Sequence, residues 1–210
     1  MQEATPETSA DRLTAIRTRM HAAAKLARRP GEDIHLIAVS KTRTAQDIEP
    51  LILEGQRLFG ENRVQEAASK WPALKERHPE VELHLIGQLQ SNKAEEAVAL
   101  FDVIHSVDRL SLVTALGKAI EKLGRAVPCF IQVNIGAEEQ KGGCSVAELP
   151  DLLKAAQDAG MDVLGYTNQA HFLMNCGLVE AMQSQLLQAR VAAQKLLMEH
   201  EMGELFKVVG

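Results

Sequence analysis

Lys41 is the residue of this chain best suited to covalent chemistry, because it stands at the end of an apolar run. The segment LIAVSKTRT, residues 36–44, begins as a buried strand and ends in polar residues. A lysine amine held over an apolar barrel core is partly desolvated, so we expect a lowered pKa and a neutral amine that can form an imine with an aldehyde. A lysine at the rim of a sheet is also an ordinary structural feature, and its position alone leaves both interpretations open.

Polar side chains and glycines follow the other strands that the sequence predicts. In parallel α/β folds the loops at the carboxyl ends of the strands meet on one face, and ligands bind there. The sequence therefore predicts that Lys41 belongs to a ring of hydrogen-bonding groups at one mouth of the fold. The members of this ring are Ser40, Thr42, Gly60, Glu61, Asn62, Gly87, Gln88, Gln90, Ser91, Asn92, Lys93, His105, Ser106, Asn134 and Gly136.

The elements that must position this ring alternate between strand and helix along the chain. Strands are predicted over residues 34–39, 56–59, 82–86, 102–104, 127–133 and 161–164. Helices are predicted over residues 11–28, 44–54, 74–77, 92–100, 110–123 and 146–159, and a further helix is predicted to begin at Val64 and to break at Trp71-Pro72. The sequence TAQD at 44–47 resembles a capping box. This order indicates an α/β fold with a parallel sheet, which we interpret as a TIM-barrel-like (β/α) barrel that is incomplete at its C-terminal strands.

Composition and charge narrow the class of protein. The 210 residues are enough for one domain, and 46% hydrophobic with 24% charged residues is typical of a soluble globular protein. A net charge of −5 argues against a nucleic-acid surface, and no apolar run is long enough for a membrane span or a signal peptide. The 3 cysteines form neither a disulfide framework nor a zinc motif. We expect a cytoplasmic protein that binds no nucleic acid, no membrane and no metal.

Five motifs occur in order and together closely resemble the pyridoxal phosphate homeostasis protein family. Members of that family are single-domain barrels similar to the N-terminal barrel of alanine racemase. The resemblance covers about residues 11–165, so residues 1–165 are expected to form the cofactor-binding part of the barrel. The motifs are AVSKT (38–42), FGENRVQE (59–66), HLIGQLQSNK (84–93), IHSVD (104–108) and QVNIGAEEQKGG (132–143).

The resemblance implies a ligand and a set of binding residues. Lys41 occupies the position that carries pyridoxal 5'-phosphate as a covalent imine, Asn62 the position near the pyridine ring, and His105 and Ser106 positions at the same mouth. Lys93 and Lys141 match further lysines of the motifs. Lys141 is a possible second site for accepting or passing on the cofactor, or an exposed loop lysine. The implied function is cofactor homeostasis without a turnover reaction, and apo-enzymes that receive the cofactor are possible partners.

The C-terminal 45 residues, from Tyr166, depart from the family pattern. We find no counterpart of its Ser-x-Gly-Met-Ser and Arg-x-Gly segments, which hold the phosphate and face the pyridine nitrogen. The spacing of apolar residues predicts a long helix over 178–197 and a last strand over 205–209, within the same domain. A parallel barrel without its last strand leaves an open edge. We therefore expect a monomer if the barrel closes and a homo-oligomer if it does not.

Two other functions stay open at the level of sequence. One is a truncated barrel that has lost tight cofactor binding. The divergent tail then has three explanations that the sequence leaves open: it is part of such a truncated homologue, it comes from a reading error or a fusion, or it rebuilds a phosphate site. The other is a pyridoxal phosphate-dependent amino-acid racemase. Racemisation needs acid and base groups on both faces of the substrate carbanion. The chain has 1 tyrosine, Tyr166, and no second domain to supply such a group, which makes the racemase the weaker alternative.

Overall fold

The structure is a computed structural model that describes residues 8–31, 34–136 and 141–168. The helices are α1 (Ser9–Leu26), α2 (Ala45–Leu53), α3 (Val64–Ala68), α4 (Trp71–Arg77), α5 (Ala94–Leu100), α6 (Leu110–Leu123) and α7 (Leu149–Asp158), and a short 3-10 helix covers Ser91–Lys93. The strands are β1 (Ala38–Val39), β2 (Leu58–Glu61), β3 (Glu82–Leu85), β4 (Val103–Val107), β5 (Cys129–Val133) and β6 (Val163–Asn168).

The six strands form one sheet in the order β1-β2-β3-β4-β5-β6, and every pairing for which a register is given is parallel. The prediction of a parallel β/α fold is therefore confirmed. The chain divides into two compact units, one with residues up to Glu61 and Gln65–Leu83, the other with Asn62–Val64 and the residues from His84 onward. The predicted tail helix, the last strand and the incomplete closure of the barrel lie outside the described residues.

In the first unit, side-chain caps fix where the helices begin. Thr44 and Asp47 form a reciprocal capping box at α2, as the sequence predicts, and Thr8 and Asp11 form the same box at α1. The predicted break at Trp71-Pro72 is correct, but α4 begins at Trp71 itself because a proline fits the first turn of a helix. The indole of Trp71 is fully buried and lies 5.2 Å from the ring of Phe59.

Strand β1 is shorter than predicted, and the side chain of Gln56 explains the difference. The sequence predicts a strand from Ile34, whereas regular pairing with β2 begins at Ala38. The Gln56 side-chain nitrogen donates to the Leu36 carbonyl at 2.6 Å and to the Leu58 carbonyl at 2.8 Å. A side-chain amide thus satisfies the Leu36 carbonyl where a strand neighbour would otherwise do so.

In the second unit, the end of β3 and strands β4 to β6 are packed with α5, α6 and α7 around a buried apolar core. Leu85, Ile104, Leu116 and Ile131 are fully buried members of that core. Helix α6 ends at Gly124, whose left-handed conformation (φ 60°) is one that glycine adopts without strain. In the part of the chain that the structure describes, no helix is both long and apolar enough to cross a membrane.

Strand β4 is longer than predicted, which corrects the position of His105 and Ser106. The sequence predicts a strand over 102–104 with both residues in the following loop, but β4 continues to Val107. Ile104 is paired with Cys129 and Val107 with Ile131, so β4 has one residue more than β5 over this stretch. Two polar residues inside the strand hid its apolar pattern, and the register of β4 against β5 shifts between Ile104 and Val107, the stretch that contains both.

Candidate functional site

Lys41 is the second residue after β1 and lies on a tight turn, and its side chain is exposed. The Ser40 N–H donates to the Gly60 carbonyl at 2.9 Å, which continues the pairing with β2 up to the residue before the lysine. Thr42, the residue after it, has φ 62°, a left-handed conformation that is rare for a β-branched side chain. The structure places Lys41 at the strand end as predicted, but the expected desolvation of its amine is wrong, because the side chain is exposed.

A buried carboxylate lies beneath this turn, within the first unit. Glu61 is fully buried, and its Oε1 accepts hydrogen bonds from Ser40 Oγ at 2.5 Å and from Trp71 Nε1 at 3.0 Å. Lys70 Nζ lies 3.0 Å from the same oxygen and forms the ion pair that balances the charge. A buried carboxylate needs such a partner because its isolated charge would be strongly destabilising.

The Lys70 ammonium also contacts the backbone on both sides of Lys41. It donates to the carbonyls of Ser40 and Arg43, each at 2.9 Å, and forms an ion pair with Glu66 at 3.0 Å. Glu66 in turn accepts a hydrogen bond from the Thr42 N–H. Sequence reasoning missed the pairing of Lys70 with Glu66, although Glu66 ends the FGENRVQE motif and Lys70 follows it at i,i+4 spacing.

Asn62 begins the loop after β2 and is half-buried. Its backbone lies so close to Gly87, the residue that opens the loop after β3, that a Cβ on Gly87 would lie 2.7 Å from Asn62 Cα. Only glycine allows this approach. The structure therefore brings together Asn62 and Gly87, two of the strand-end residues that the sequence predicted to meet, within the second unit.

His105 forms a partly buried aromatic cluster with residues of the two neighbouring strands. Its Nε2 lies 2.8 Å from His84 Nδ1, and its ring is stacked on Phe130 at 4.7 Å between centroids. Burial lowers the pKa of His84 to about 4, against a smaller opposing effect of the Asp102 charge. Burial, and then the neighbouring His84, lower the pKa of His105 to about 4. Both imidazoles are therefore neutral at neutral pH, and His105 offers an aromatic face rather than a positive charge.

Ser106 is fully buried in β4, and within the described residues its Oγ has no hydrogen-bond partner. It was predicted to lie in a loop at the mouth together with His105. The structure places both inside β4, where the register with β5 shifts by one residue. A buried hydroxyl without a partner is unusual and marks this position as a candidate contact for a polar ligand.

The two further lysines of the motifs lie in the second unit. Lys93 ends the short 3-10 helix and forms an ion pair with Glu96 at 2.7 Å. Lys141 is half-buried, and its carbonyl accepts a hydrogen bond from the Asn134 side chain at 3.3 Å. The sequence did not single out Arg109, which donates to the Leu89 carbonyl at 2.7 Å and so ties the start of α6 to the loop after β3.

The described residues suit the binding of an aldehyde at Lys41. The side chain there is exposed, and the adjoining end of β1 is held by backbone hydrogen bonds to β2. In the family, C-terminal segments hold the phosphate, and the corresponding part of this chain lies beyond the described residues. Among residues 8–31, 34–136 and 141–168, no cluster of three or more His, Cys, Asp and Glu side chains could hold a metal ion. Burial raises the pKa of the Cys129 thiol to about 12 and that of Cys144 to about 11, so neither is a ready nucleophile.

Comparison with known sequences points to one family. The sequence model of the alanine racemase N-terminal domain matches residues 12–205, a range that extends beyond Gly165, where the motif resemblance ends. The chain is 39% identical over 150 residues to the pyridoxal phosphate homeostasis protein of Escherichia coli K12, and the match covers 71% of this chain and 64% of that protein. With the protein of the same name from Aquifex aeolicus it shares 33% identity over 166 residues, which cover 79% of this chain and 72% of the relative.

Solved structures show the same relationship. PipY of Synechococcus elongatus PCC7942, in the form without PLP (pyridoxal phosphate), matches with a TM-score of 0.71 and 33% identity, over 87% of this chain and 84% of that one. The form of PipY with PLP bound matches with a TM-score of 0.70. An alanine racemase of Clostridium difficile in complex with cycloserine matches with a TM-score of 0.61 at 14% identity, over 84% of this chain and 48% of that one, which shows a shared fold.

Proposed function

We propose that this chain, which belongs to the pyridoxal phosphate homeostasis proteins of the alanine racemase N-terminal domain family, binds pyridoxal 5'-phosphate and serves in cofactor homeostasis. The match spans 64% of the length of the Escherichia coli relative, whose name states this role. PipY, which is similar over most of both chains, has been solved with PLP bound. The observation in this chain that supports the proposal best is the exposed amine of Lys41 at the end of a parallel strand.

Lys41 is the residue that we assign to covalent attachment. The Lys41 amine would hold the cofactor through an imine with its aldehyde group, formed with loss of water. The exposure of the side chain gives the cofactor access to the amine. The fixed backbone on both sides of Lys41 limits the directions in which the amine can point, which favours reaction in one geometry.

The remaining predicted residues receive supporting roles. Asn62 would lie beside the pyridine ring, with its position set by the close approach of Gly87. His105, neutral and stacked on Phe130, would contribute an aromatic surface, and the Ser106 hydroxyl would donate to or accept from a polar group of the ligand. Lys141 would be a secondary attachment point. Residues 1–165 would form the cofactor-binding part, with residues 166–210 in the same domain.

We further propose that the protein holds and transfers the cofactor without turning over a substrate, in the cytoplasm, with apo-enzymes as recipients. A racemase needs acid and base groups on both faces of a substrate carbanion. The His84–His105 pair does not meet this need readily, because His84 is buried and both imidazoles have a pKa lowered to about 4, which makes them weak bases. Racemisation of alanine by the purified protein after exhaustive dialysis would favour the racemase alternative.

An absorbance titration tests the proposal. The purified protein is mixed with increasing pyridoxal phosphate, and the visible band of the imine is followed in wild type, Lys41→Ala and the control Lys122→Ala. Lys122 is an exposed lysine whose ammonium lies 2.7 Å from Glu95, so its loss removes one surface amine. We expect a saturable band in the wild type and the control and its absence in Lys41→Ala. A band of equal size in Lys41→Ala would contradict the proposal.

A further inference from the structure

The Lys70 ammonium group contacts the turn that bears Lys41 on both sides of that residue. We propose that Lys70 is a positioning residue that sets the direction of the Lys41 amine, together with Glu61 and Glu66; this inference rests on the proposed function. The Lys70 side chain is 9% exposed, and it belongs to the first unit, like the turn itself. It does not touch the cofactor in this scheme and acts only through the backbone of residues 40–43.

The contacts of Lys70 converge on the turn. Its Nζ lies 2.9 Å from the Ser40 carbonyl, one residue before Lys41, and 2.9 Å from the Arg43 carbonyl, two residues after it. The same nitrogen lies 3.0 Å from Glu61 Oε1 and from Glu66 Oε1. An ammonium group has three N–H donors and no planar constraint, so it can serve acceptors that approach from different sides. Two of these acceptors are backbone carbonyls that flank the reactive lysine.

The two carboxylates restrain the remaining parts of the turn. Glu61 accepts from Ser40 Oγ at 2.5 Å, which orients the residue before Lys41. Glu66 accepts from the N–H of Thr42, whose φ of 62° is otherwise unfavourable for a threonine. Such a backbone conformation persists only where the surroundings hold it, and it is often found at functional sites. Lys41 therefore lies between two residues that this network fixes.

A purely structural role for the network is the alternative. Buried ion pairs often contribute little net stability, and apolar residues of similar size can replace them without loss of folding. Here the network binds the peptide groups next to the reactive amine, and an apolar replacement could not bind them. We therefore expect that removing it changes the reactivity and selectivity of Lys41 even in variants that remain folded.

The test compares matched substitutions. The double variant Glu61→Gln/Lys70→Met removes both buried charges, so the fully buried Glu61 carboxylate is not left without its partner; Glu66 loses its ion pair with Lys70 but is partly exposed to water. Glu66→Leu removes the acceptor of the Thr42 N–H, whereas Glu66→Gln keeps an oxygen that can accept that bond. Lys122→Met removes an exposed ion pair in the second unit and is the control. Circular dichroism melting shows which variants are folded, and the Glu66 pair, at a side chain that is 29% exposed, is the pair least disruptive to folding.

Two readouts are measured with pyridoxal phosphate itself. One is the rate constant for growth of the imine band across a range of pH, and the other is the share of borohydride-reduced label on Lys41 relative to all other lysines. We expect the double variant and Glu66→Leu to react about tenfold more slowly or worse, since small misplacements of a reacting group have effects of this size. We also expect their label to spread to other lysines, while Glu66→Gln and Lys122→Met resemble the wild type.

The outcomes separate this inference from the proposed function. A wild type that labels Lys41, together with folded variants that react at its rate and with its selectivity, would overturn the role of Lys70 and leave the proposed function intact. A wild type that fails to label Lys41 would overturn the proposed function itself. Slower and less selective labelling in folded Glu66→Leu, with recovery in Glu66→Gln, supports the positioning role, since a general loss of stability would affect both variants.

Discussion

The buried histidine pair should make the protein sensitive to mild acid. Folding lowers the pKa of His84 and of His105 from 6.5 to about 4. The unfolded chain therefore binds protons first as the pH falls below 6.5, and folding free energy is lost between that pH and about 4. Above pH 6.5 both imidazoles are neutral in either state, and the pair contributes no pH dependence.

The size of the effect follows from the same values. At about 1.4 kcal/mol for each pH unit, one histidine lowers the free energy of unfolding by about 2 kcal/mol at pH 5. The second histidine adds a similar loss, because repulsion between two imidazolium groups whose facing nitrogens lie 2.8 Å apart disfavours protonation of the folded state only. We therefore expect the pair to remove at least about 2 kcal/mol between pH 7 and pH 5, a large part of the stability of a typical domain.

Urea unfolding at pH 7 and pH 5 measures this loss. The test variant His84→Leu/His105→Phe replaces both imidazoles with apolar side chains that can pack against Phe130. The control His35→Gln removes an exposed histidine. We expect the loss between the two pH values to shrink by at least about 2 kcal/mol in the test variant and to stay unchanged in the control. An equal loss in wild type and the test variant would refute the reasoning, since other groups would then cause it.

Three more predictions concern single side chains. Gly87→Ala should destabilise the fold by about 2 kcal/mol or more in urea unfolding, because the new Cβ would lie 2.7 Å from Asn62 Cα. A variant as stable as the wild type would contradict the close approach of the Gly87 and Asn62 backbones. Ser106→Ala should leave stability unchanged or raise it by up to about 1 kcal/mol, because the buried Oγ has no partner within the described residues; a clear loss would reveal a bond to the rest of the chain. Cys129 and Cys144 should react with iodoacetamide far more slowly in the native than in the unfolded protein, because burial raises both thiol pKa values; peptide mapping that finds either one alkylated at the unfolded rate would contradict this.

Much of the fold could be predicted because its signals are local. The alternation of apolar strands with amphipathic helices identified the parallel β/α architecture, and the Thr44–Asp47 box fixed the start of α2. The errors arose where tertiary contacts replaced local pattern. Gln56 hydrogen-bonds to the Leu36 carbonyl, which shortens β1, and the polar residues His105 and Ser106, at a shift in register, interrupt the apolar pattern of β4.

The candidate site was predictable only in part. The position of Lys41 at the end of an apolar run could be read directly from the sequence. The role of Lys70 could not, because it depends on folding that brings this residue to the carbonyls of residues about thirty positions earlier in the chain. The His84–His105 contact likewise depends on the pairing of β3 with β4, which places His84 opposite Val103.

The neutral state of the histidine pair shows why residue type alone is a poor guide to charge. In sequence, His105 next to Ser106 suggests a polar loop at a binding mouth. In the fold, burial lowers the pKa of His105 and its ring is stacked on Phe130. The physical environment, which local sequence does not encode, thus decides that this position offers an aromatic face.

The most direct test of the central claim is peptide mass mapping after borohydride reduction of the protein mixed with equimolar pyridoxal phosphate. The reduced adduct is stable, so the modified lysine can be identified in the digested chain. Our account predicts that the label is found on Lys41 and that little is found on the other lysines. A label spread over many lysines, or concentrated on a lysine other than Lys41, would contradict it.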